Sequence, residues 1–264
     1  LRDEGAPCED IERAREWVRK GLSILTLAKE ITGTPGVLPR ALARRDLPGD
    51  GTQAVVPLFD ETGEPMPAEK NNGTWRADVS GLHPDYIWED SCSRDMYVGW
   101  VMAIASIWEV IRRDSAFSDL EKETLRASAR ELLASLRVVR EDGFDLEIRD
   151  ADGRRTYHGI LNENSVDRVY IPGAPNAFNA IMATGIVHAL TYVSEHSGDQ
   201  AYADSLIDGE RALLDLAERT LFVIDLGAYN NFSGSNMAFI SFWLAMRYVS
   251  QSEARLKVRA LTKA

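Results

Sequence analysis

The hydrophobic residues of this sequence recur at helical spacing in two alternating patterns. Segments 10–31, 118–140, 199–220 and 253–263 are apolar along one helical face, whereas segments 96–112, 176–195 and 235–249 are apolar around nearly the whole helix. A helix that is apolar on every side must be covered on every side, while a one-sided helix lies at the surface. The alternation therefore predicts an all-α fold, a double-layered α/α-hairpin toroid that need not be complete.

Two stretches interrupt the helical pattern. Segment 33–90 is rich in Pro, Gly and Asp and contains no helix signal longer than 39–45, so we expect a long loop there. Segments 145–149 and 154–157 flank an Asp-Ala-Asp-Gly turn, which predicts one small β-hairpin insertion. No residue motif recurs at a fixed period of about 34 or 40 residues, which disfavours a helical solenoid. Residues 1–264 are predicted to form a single domain belonging to a longer precursor.

Charge and cysteine content limit the compartment and the partners. The chain of 264 residues has a formal net charge of −11, which argues against nucleic acid or an anionic membrane as a partner. No apolar run reaches the roughly 18 residues of a membrane span. Cys8 and Cys92 form either one disulfide or two unrelated thiols. The start at Leu1 indicates that a signal peptide or a larger upstream region has been removed, which favours a secreted or periplasmic protein. Asn72 and Asn231 match the glycosylation sequon, a pattern that also arises easily by chance.

Polar residues concentrate in the loops that enter the three all-round helices. If each inner helix follows an outer one, the inner helices are parallel and their N-termini meet at one end, where free N–H groups create positive potential. The loops in question are 88–95, then 162–164 with 170–176, and finally 229–236. We therefore expect carboxylates, amides and aromatic rings to converge on one rim of the fold.

Several segments resemble the six-hairpin glycosidase superfamily, and more closely a group of largely uncharacterised secreted bacterial proteins within it. In family order, the matching segments are Thr34-Pro-Gly36 with Pro39-Arg40, Trp88 with Asp90-Ser-Cys-Ser-Arg-Asp95 and Gly99, Asp150-Ala-Asp-Gly153 with Thr156, and Asn231-Phe-Ser233 with Ala238-Phe239. The chain departs from the group at Trp100, His158 and Gly234. The resemblance implies an (α/α) toroid, a carbohydrate-related role and export.

Asp90 and Asp95 are the predicted catalytic residues. Hydrolysis of a glycosidic bond requires two carboxyl groups, one that protonates the leaving oxygen and one that activates water or attacks the sugar. Glu89 and Glu163 are the substitutes for the second carboxylate. The competing interpretation is that Asp90 and Asp95 only cap the helix that begins near residue 94.

Predicted sugar-binding residues surround these carboxylates. Arginine binds carboxylates in a bidentate manner, an exposed indole stacks on sugar rings, and amides bind hydroxyls. The candidates are Arg40, Trp88, Arg94, Asn176, Tyr229, Asn231 and Asn236. For the arginines the alternative is pairing with a nearby aspartate, and for the asparagines it is helix capping.

Three functions follow from this set of residues. The first is a glycoside hydrolase acting on an oligo- or polysaccharide, and the second is a non-catalytic glycan-binding or scaffold module. The third is a polyuronate lyase, for which Tyr157 and His158 would form the catalytic pair. The four histidines lack metal-ligand spacing and no phosphate-binding glycine loop is present, so we expect neither a metal nor a cofactor.

Overall fold

The fold is described from a computed structural model that covers residues 5–46, 54–68, 72–166, 168–224 and 232–262. This part of the chain is mainly helical, which confirms the predicted class. The helices are α1 (Cys8–Ile31), α2 (Arg94–Ile111), α3 (Asp119–Leu136), α4 (Ala177–Ser194), α5 (Ser197–Asp208), α6 (Leu213–Ile224), α7 (Phe232–Tyr248) and α8 (Ser252–Leu261). The strands are β1 (Ala41–Arg44), β2 (Trp75–Ala77), β3 (Tyr86–Glu89), β4 (Glu147–Arg149), β5 (Arg155–Ile160), β6 (Ser165–Val166) and β7 (Val169–Tyr170).

The helices predicted to be inner ones, α2, α4 and α7, run parallel to one another. Near their N-termini, Arg94 of α2 donates to the amide oxygen of Asn179 in α4. At their C-terminal ends Arg112 donates to the Tyr192 hydroxyl, and the ring of Tyr192 lies 4.8 Å from that of Tyr248 in α7. The beginnings of α2 and α4 therefore lie at one end of the molecule, and α7 points in the same direction.

Helices α1 and α3, which precede α2 and α4, run the opposite way. Arg15, early in α1, pairs with Asp114, which follows the C-terminus of α2. Further along, Gly21 of α1 lies against the side chain of Ile107. Helices α1 and α3 are themselves parallel neighbours, joined by the ion pair between Lys29 and Glu131. Helices α1 to α4 thus alternate in direction along the chain, as expected for helical hairpins.

Helix α4 is the centre of the core. Nearly all of its residues are buried, and it packs against α2, α3, α5, α6 and α7. This confirms the prediction that segment 176–195 is covered on every side. Among the described residues, α4 is also the one helix long and apolar enough to cross a membrane, but 89% of it is buried inside the protein.

Helices α2 and α7 depart from the all-round burial predicted for them. Val110 and Met102 of α2 are 48% and 36% exposed, and Phe239 of α7 is 71% exposed. The apolar residues on these faces are uncovered in the described part of the chain. Segment 199–220 also differs, since it forms α5 and α6, separated by a turn in which Ala212 has a φ of 41°.

The described residues form three small antiparallel sheets, instead of the single hairpin predicted. The expected pair, β4 with β5, is present, and β6 pairs with β7. Segment 39–45 contributes strand β1, which joins β3 and β2 in the order β1-β3-β2. Such strands are too short to give a periodic sequence signal, which is why the sequence indicated a loop.

Candidate functional site

Strand β3 and the turn after it position the first predicted site segment. Glu89, the last residue of β3, pairs in register with Ala41 on one side and Trp75 on the other. Ser91 then adopts a left-handed φ of 58°, which turns the chain toward α2, and Ser93 is the N-cap residue of that helix. Because side chains alternate along a strand, Trp88 points into the core. The same β3 segment is therefore buried on one side and reaches the rim on the other.

Asp90 is a buried structural carboxylate. It is 0% exposed, and its oxygens accept hydrogen bonds from the backbone N–H of Thr74 at 2.8 Å and from Nε of Arg76 at 2.8 Å. A third contact comes from the guanidinium of Arg154. A carboxylate that is enclosed and neutralised by two arginines cannot reach a sugar. We therefore correct the assignment of Asp90 as a catalytic residue.

Asp150 lies beside Asp90 in the same buried network. It accepts the backbone N–H of Ser91 at 2.8 Å and Nε of Arg154 at 3.1 Å. Burial raises the pKa of Asp150 to about 6, and the neighbouring charge of Asp90 adds to this effect. The predicted turn at 150–153 is thus also the point that fixes the backbone of the loop leading to α2.

We expect Asp150 to make the folded state less stable as pH rises from 4 to 6. Its pKa is higher in the folded chain, so in this range the folded state binds more protons than the unfolded state, and stability falls with pH. The full shift would correspond to at most about 3 kcal/mol. Urea denaturation of wild type and Asp150→Asn at each pH should show this difference in slope.

The control for this measurement is Asp60→Asn. Hydrogen bonds from the Thr62 hydroxyl and nearby backbone N–H groups lower the pKa of Asp60. The stabilisation from Asp60 is therefore present above its ordinary pKa and is lost as pH falls, which is the opposite sign. If wild type and Asp150→Asn show parallel pH profiles, Asp150 is ionised in the fold throughout this range.

Asp95, Arg40 and Glu89 form a partly exposed cluster at the N-terminus of α2. Nη1 of Arg40 lies 3.2 Å from the Ser93 hydroxyl, which in turn donates to the carboxylate of Asp95. On its other side, Nε of Arg40 lies 3.8 Å from the Glu89 carboxylate. The Arg40 and Glu89 side chains are each 20% exposed, and Asp95 is half-buried. The Arg40 guanidinium therefore contacts one partly exposed carboxylate, Glu89, directly and another, Asp95, through Ser93. We name Arg40, Glu89 and Asp95 the Arg40 cluster.

Two predicted sugar-binding residues have structural roles. Trp88 is 0% exposed, and its indole N–H donates to the carbonyl of Ala77, so it offers no face for a sugar ring. Asn176 is the N-cap of α4, accepting the N–H groups of Phe178 and Asn179. Its amide nitrogen donates to the carbonyl of Ser165. We therefore correct the assignments of Trp88 and Asn176 as ligands.

The other predicted ligands lie in different surroundings. Arg94 bridges α2 to neighbouring elements, donating at 3.4 Å to the carbonyl of Ile160 as well as to Asn179. Asn236 is exposed near the start of α7. Tyr229 and Asn231 lie outside the described residues. Glu163, a substitute for the second carboxylate, is buried in an ion pair with Arg211.

Tyr157 and His158 lie close to the Arg40 cluster. The backbone N–H of Tyr157 donates to the hydroxyl of Ser91, whose carbonyl lies 3.4 Å from Nη1 of Arg40. The two rings meet edge to face at 4.4 Å, and the Arg168 guanidinium lies 4.3 Å from the centre of the Tyr157 ring. Both side chains are partly exposed. The backbone of the pair considered for lyase chemistry is therefore linked through Ser91 to the Arg40 cluster.

Both cysteines lie in the described part of the chain. Cys8 is exposed and Cys92 is buried, and both are free thiols. Burial raises the pKa of the Cys92 thiol, so it is unreactive. No group of three or more His, Cys, Asp or Glu side chains among the described residues is arranged to hold a metal ion. His188 is buried in α4, and desolvation lowers its pKa to about 4.

No known family model, curated protein or solved structure matches this chain. The resemblance to six-hairpin glycosidases therefore depends on the sequence segments quoted above and on nothing else.

Sequence reasoning missed the arginines that neutralise the buried acids. Arg76 is 0% exposed, and Arg154 lies next to the Asp150 turn. Arg211 holds both Glu163 and Asp145. The one local signal was the spacing of four residues between Asp150 and Arg154. The other partners are distant in sequence, so no pattern in the chain could have revealed them.

Proposed function

We propose that this chain is an exported carbohydrate-active protein, a glycoside hydrolase built as a double-layered α/α-hairpin toroid. Support for the architecture comes from the parallel direction of α2, α4 and α7 and the reversed direction of α1 relative to α2. This arrangement directs helix N-termini, and the positive potential there, toward one end of the molecule. A polysaccharide substrate would meet the protein at that end.

The Arg40 cluster is the observation that carries the proposal. Glycosidic bond hydrolysis needs two carboxyl groups within reach of one sugar linkage. We assign Asp95 the role of the carboxylate that activates water or attacks the sugar, because it lies in the first turn of α2 and accepts a hydrogen bond from the Ser93 hydroxyl. Glu89 then takes the role of proton donor, in place of Asp90. Arg40 and Arg94 would orient the sugar, and Arg40 links the two carboxylates, directly to Glu89 and through the Ser93 hydroxyl to Asp95.

Activity measurements on the full chain test these roles. A panel of oligo- and polysaccharides is screened for release of reducing ends, and the best substrate is used to compare Glu89→Gln and Asp95→Asn with wild type. We expect each variant to lower kcat by about 10²- to 10⁴-fold, the usual contribution of a general acid or base. Glu16→Gln changes an exposed carboxylate in the first half of α1, outside the Arg40 cluster, and should keep wild-type activity. Full activity in both site variants contradicts the assignment.

A non-catalytic glycan-binding module is the second candidate. This function is favoured because Asp90 is buried in an ion pair with Arg76 and is not available for catalysis. The second carboxylate is then Glu89, which lies 3.8 Å from Arg40. Glycan-array binding that Arg40→Ala abolishes, without release of product from any bound glycan, would establish this function instead.

A polyuronate lyase is the third candidate, favoured by the position of Tyr157 and His158 beside Ser91. A lyase removes a proton next to the uronate carboxylate and leaves an unsaturated sugar. Polygalacturonate or alginate digests would then gain near-ultraviolet absorbance, which Tyr157→Phe should abolish. Digests with reducing ends and no such absorbance favour the hydrolase.

A further inference from the structure

A broad apolar surface runs over three helices on the side of the molecule away from α4. On α2 it consists of Gly99, Met102, Ala103, Ser106 and Val110, which share one helical face. On α7 it consists of Phe239 together with the half-buried Ile240, Trp243 and Met246. The opposite faces of both helices pack into the core, where Ser241 and Leu244 of α7 meet Gly185 of α4. We name these exposed faces the α2/α7 face.

Helix α1 extends the same surface. Trp17 and Ile24 of α1 are 67% and 50% exposed, and α1 contacts α2 through Gly21 and Ile107, on the flank opposite α7. On the other flank, Glu109 of α2 pairs with Arg247 of α7. Soluble monomers seldom expose so many large apolar side chains side by side, so a contiguous surface of this kind indicates an interaction site.

The charges at the two ends of α2 indicate which partner fits. Asp95 lies in its first turn and Arg113 lies just beyond its last, and the two are on the same helical face, about five turns or 27 Å apart. If two such helices pack antiparallel, each Asp95 meets the Arg113 of the other helix. If they pack parallel, like charges meet. The face is therefore complementary to itself in one orientation.

Helix α7 fits the same symmetry. Because Glu109 is level with Arg247 and the helices run parallel, the middle of α2 is level with residue 242 of α7. Along the axis of α7, Phe239 precedes residue 242 and Met246 follows it, at similar distances. A two-fold axis there brings Phe239 of one copy to Met246 of the other, a favourable sulfur–aromatic contact. The small residues Gly99, Ala103 and Ser106 let the two α2 backbones approach closely.

We propose that the α2/α7 face binds a second copy of this chain, as a two-fold dimer in which the α2 helices cross antiparallel near Met102 and Ser106. Such an isologous interface is the commonest way for soluble chains to associate. It places Arg113 of the second copy beside Asp95, at the edge of the Arg40 cluster. The dimer goes beyond the proposed function and does not depend on a sugar substrate.

Sedimentation velocity of the full chain over a range of concentrations tests the dimer. We expect wild type to sediment as a dimer, and Asp95→Arg and Arg113→Glu each to raise the dimer Kd by about 100-fold or more, since two like-charge contacts form per dimer. Mixing the two variants should restore a heterodimer, because the arginine introduced in one variant then meets the glutamate introduced in the other. The second contact of that heterodimer is the native one between Arg113 and Asp95. Circular dichroism confirms that each variant is folded.

Two further variants define the extent of the interface. Phe239→Glu should yield a monomer, whereas Leu120→Glu, at a 77% exposed site on α3, should remain a dimer. The proposal is overturned if wild type is monomeric at 100 μM (roughly a hundredfold above a micromolar Kd), or if the mixed charge variants fail to associate. A monomer that instead binds phosphatidylcholine vesicles or a polysaccharide through Phe239 would assign the face to that partner.

Discussion

Replacing Arg76 with methionine should lower the free energy of unfolding by about 3–5 kcal/mol, the range for breaking a buried ion pair. Arg76 and Asp90 are both 0% exposed, and the substitution leaves the Asp90 carboxylate buried with one arginine instead of two. Arg76 also donates to the carbonyl of Pro57 at 2.8 Å. The loss therefore loosens segment 54–68 as well as the turn into α2. Urea denaturation followed by far-ultraviolet circular dichroism measures the change.

The double variant Arg76→Met/Asp90→Asn separates the ion pair from the general effect of substitution. Removing both charges leaves no unpaired carboxylate in the core. The loss of unfolding free energy in the double variant should therefore be smaller than the sum of the losses in the two single variants. Arg44→Met breaks the exposed pair with Asp46 and should leave stability unchanged. If Arg76→Met is as stable as wild type, the buried pair between Arg76 and Asp90 does not stabilise the fold.

The reversal at Asp90 illustrates what the sequence could and could not predict about the site. The local run from Trp88 to Asp95 correctly marked the segment that enters α2. It could not distinguish Glu89 from Asp90, because the difference depends on β3, a strand of only four residues. The partners that bury Asp90 lie 14 and 64 residues away in the chain. Helical periodicity is local, whereas charge neutralisation in the core is not.

The helices show the same difference between features that local sequence predicts and features that it does not. Periodicity predicted the position of α4 and its burial on all sides, because every face of α4 meets another helix within this chain. The apolar faces of α2 and α7 were predicted in the same way, yet Met102, Val110 and Phe239 are exposed. A hydrophobic pattern indicates that a surface is buried, but it does not indicate whether the residues that bury it belong to the same molecule. A second copy would reconcile that pattern with the exposure.

Gly185→Val should lower the free energy of unfolding by about 3 kcal/mol or more. Gly185 is where α4 meets α7 most closely: a Cβ there would lie 2.5 Å from the carbonyl oxygen of Ser241 and 3.3 Å from the side chain of Leu244. A backbone carbonyl cannot rotate away as a side chain can, so the two helices must separate. Separation of packed helices costs both contacts and rotamer strain.

Gly99→Val is the matched control, since Gly99 is also a helical glycine but no atom lies near its added Cβ. Valine has a slightly higher helix propensity than glycine, so this variant should be as stable as wild type or a few tenths of a kcal/mol more stable. The comparison is made at protein concentrations low enough to keep both variants monomeric. Equal stability of the two variants would mean that α4 and α7 are not in close contact. The parallel arrangement of α4 and α7, which supports the proposed architecture, would then be wrong.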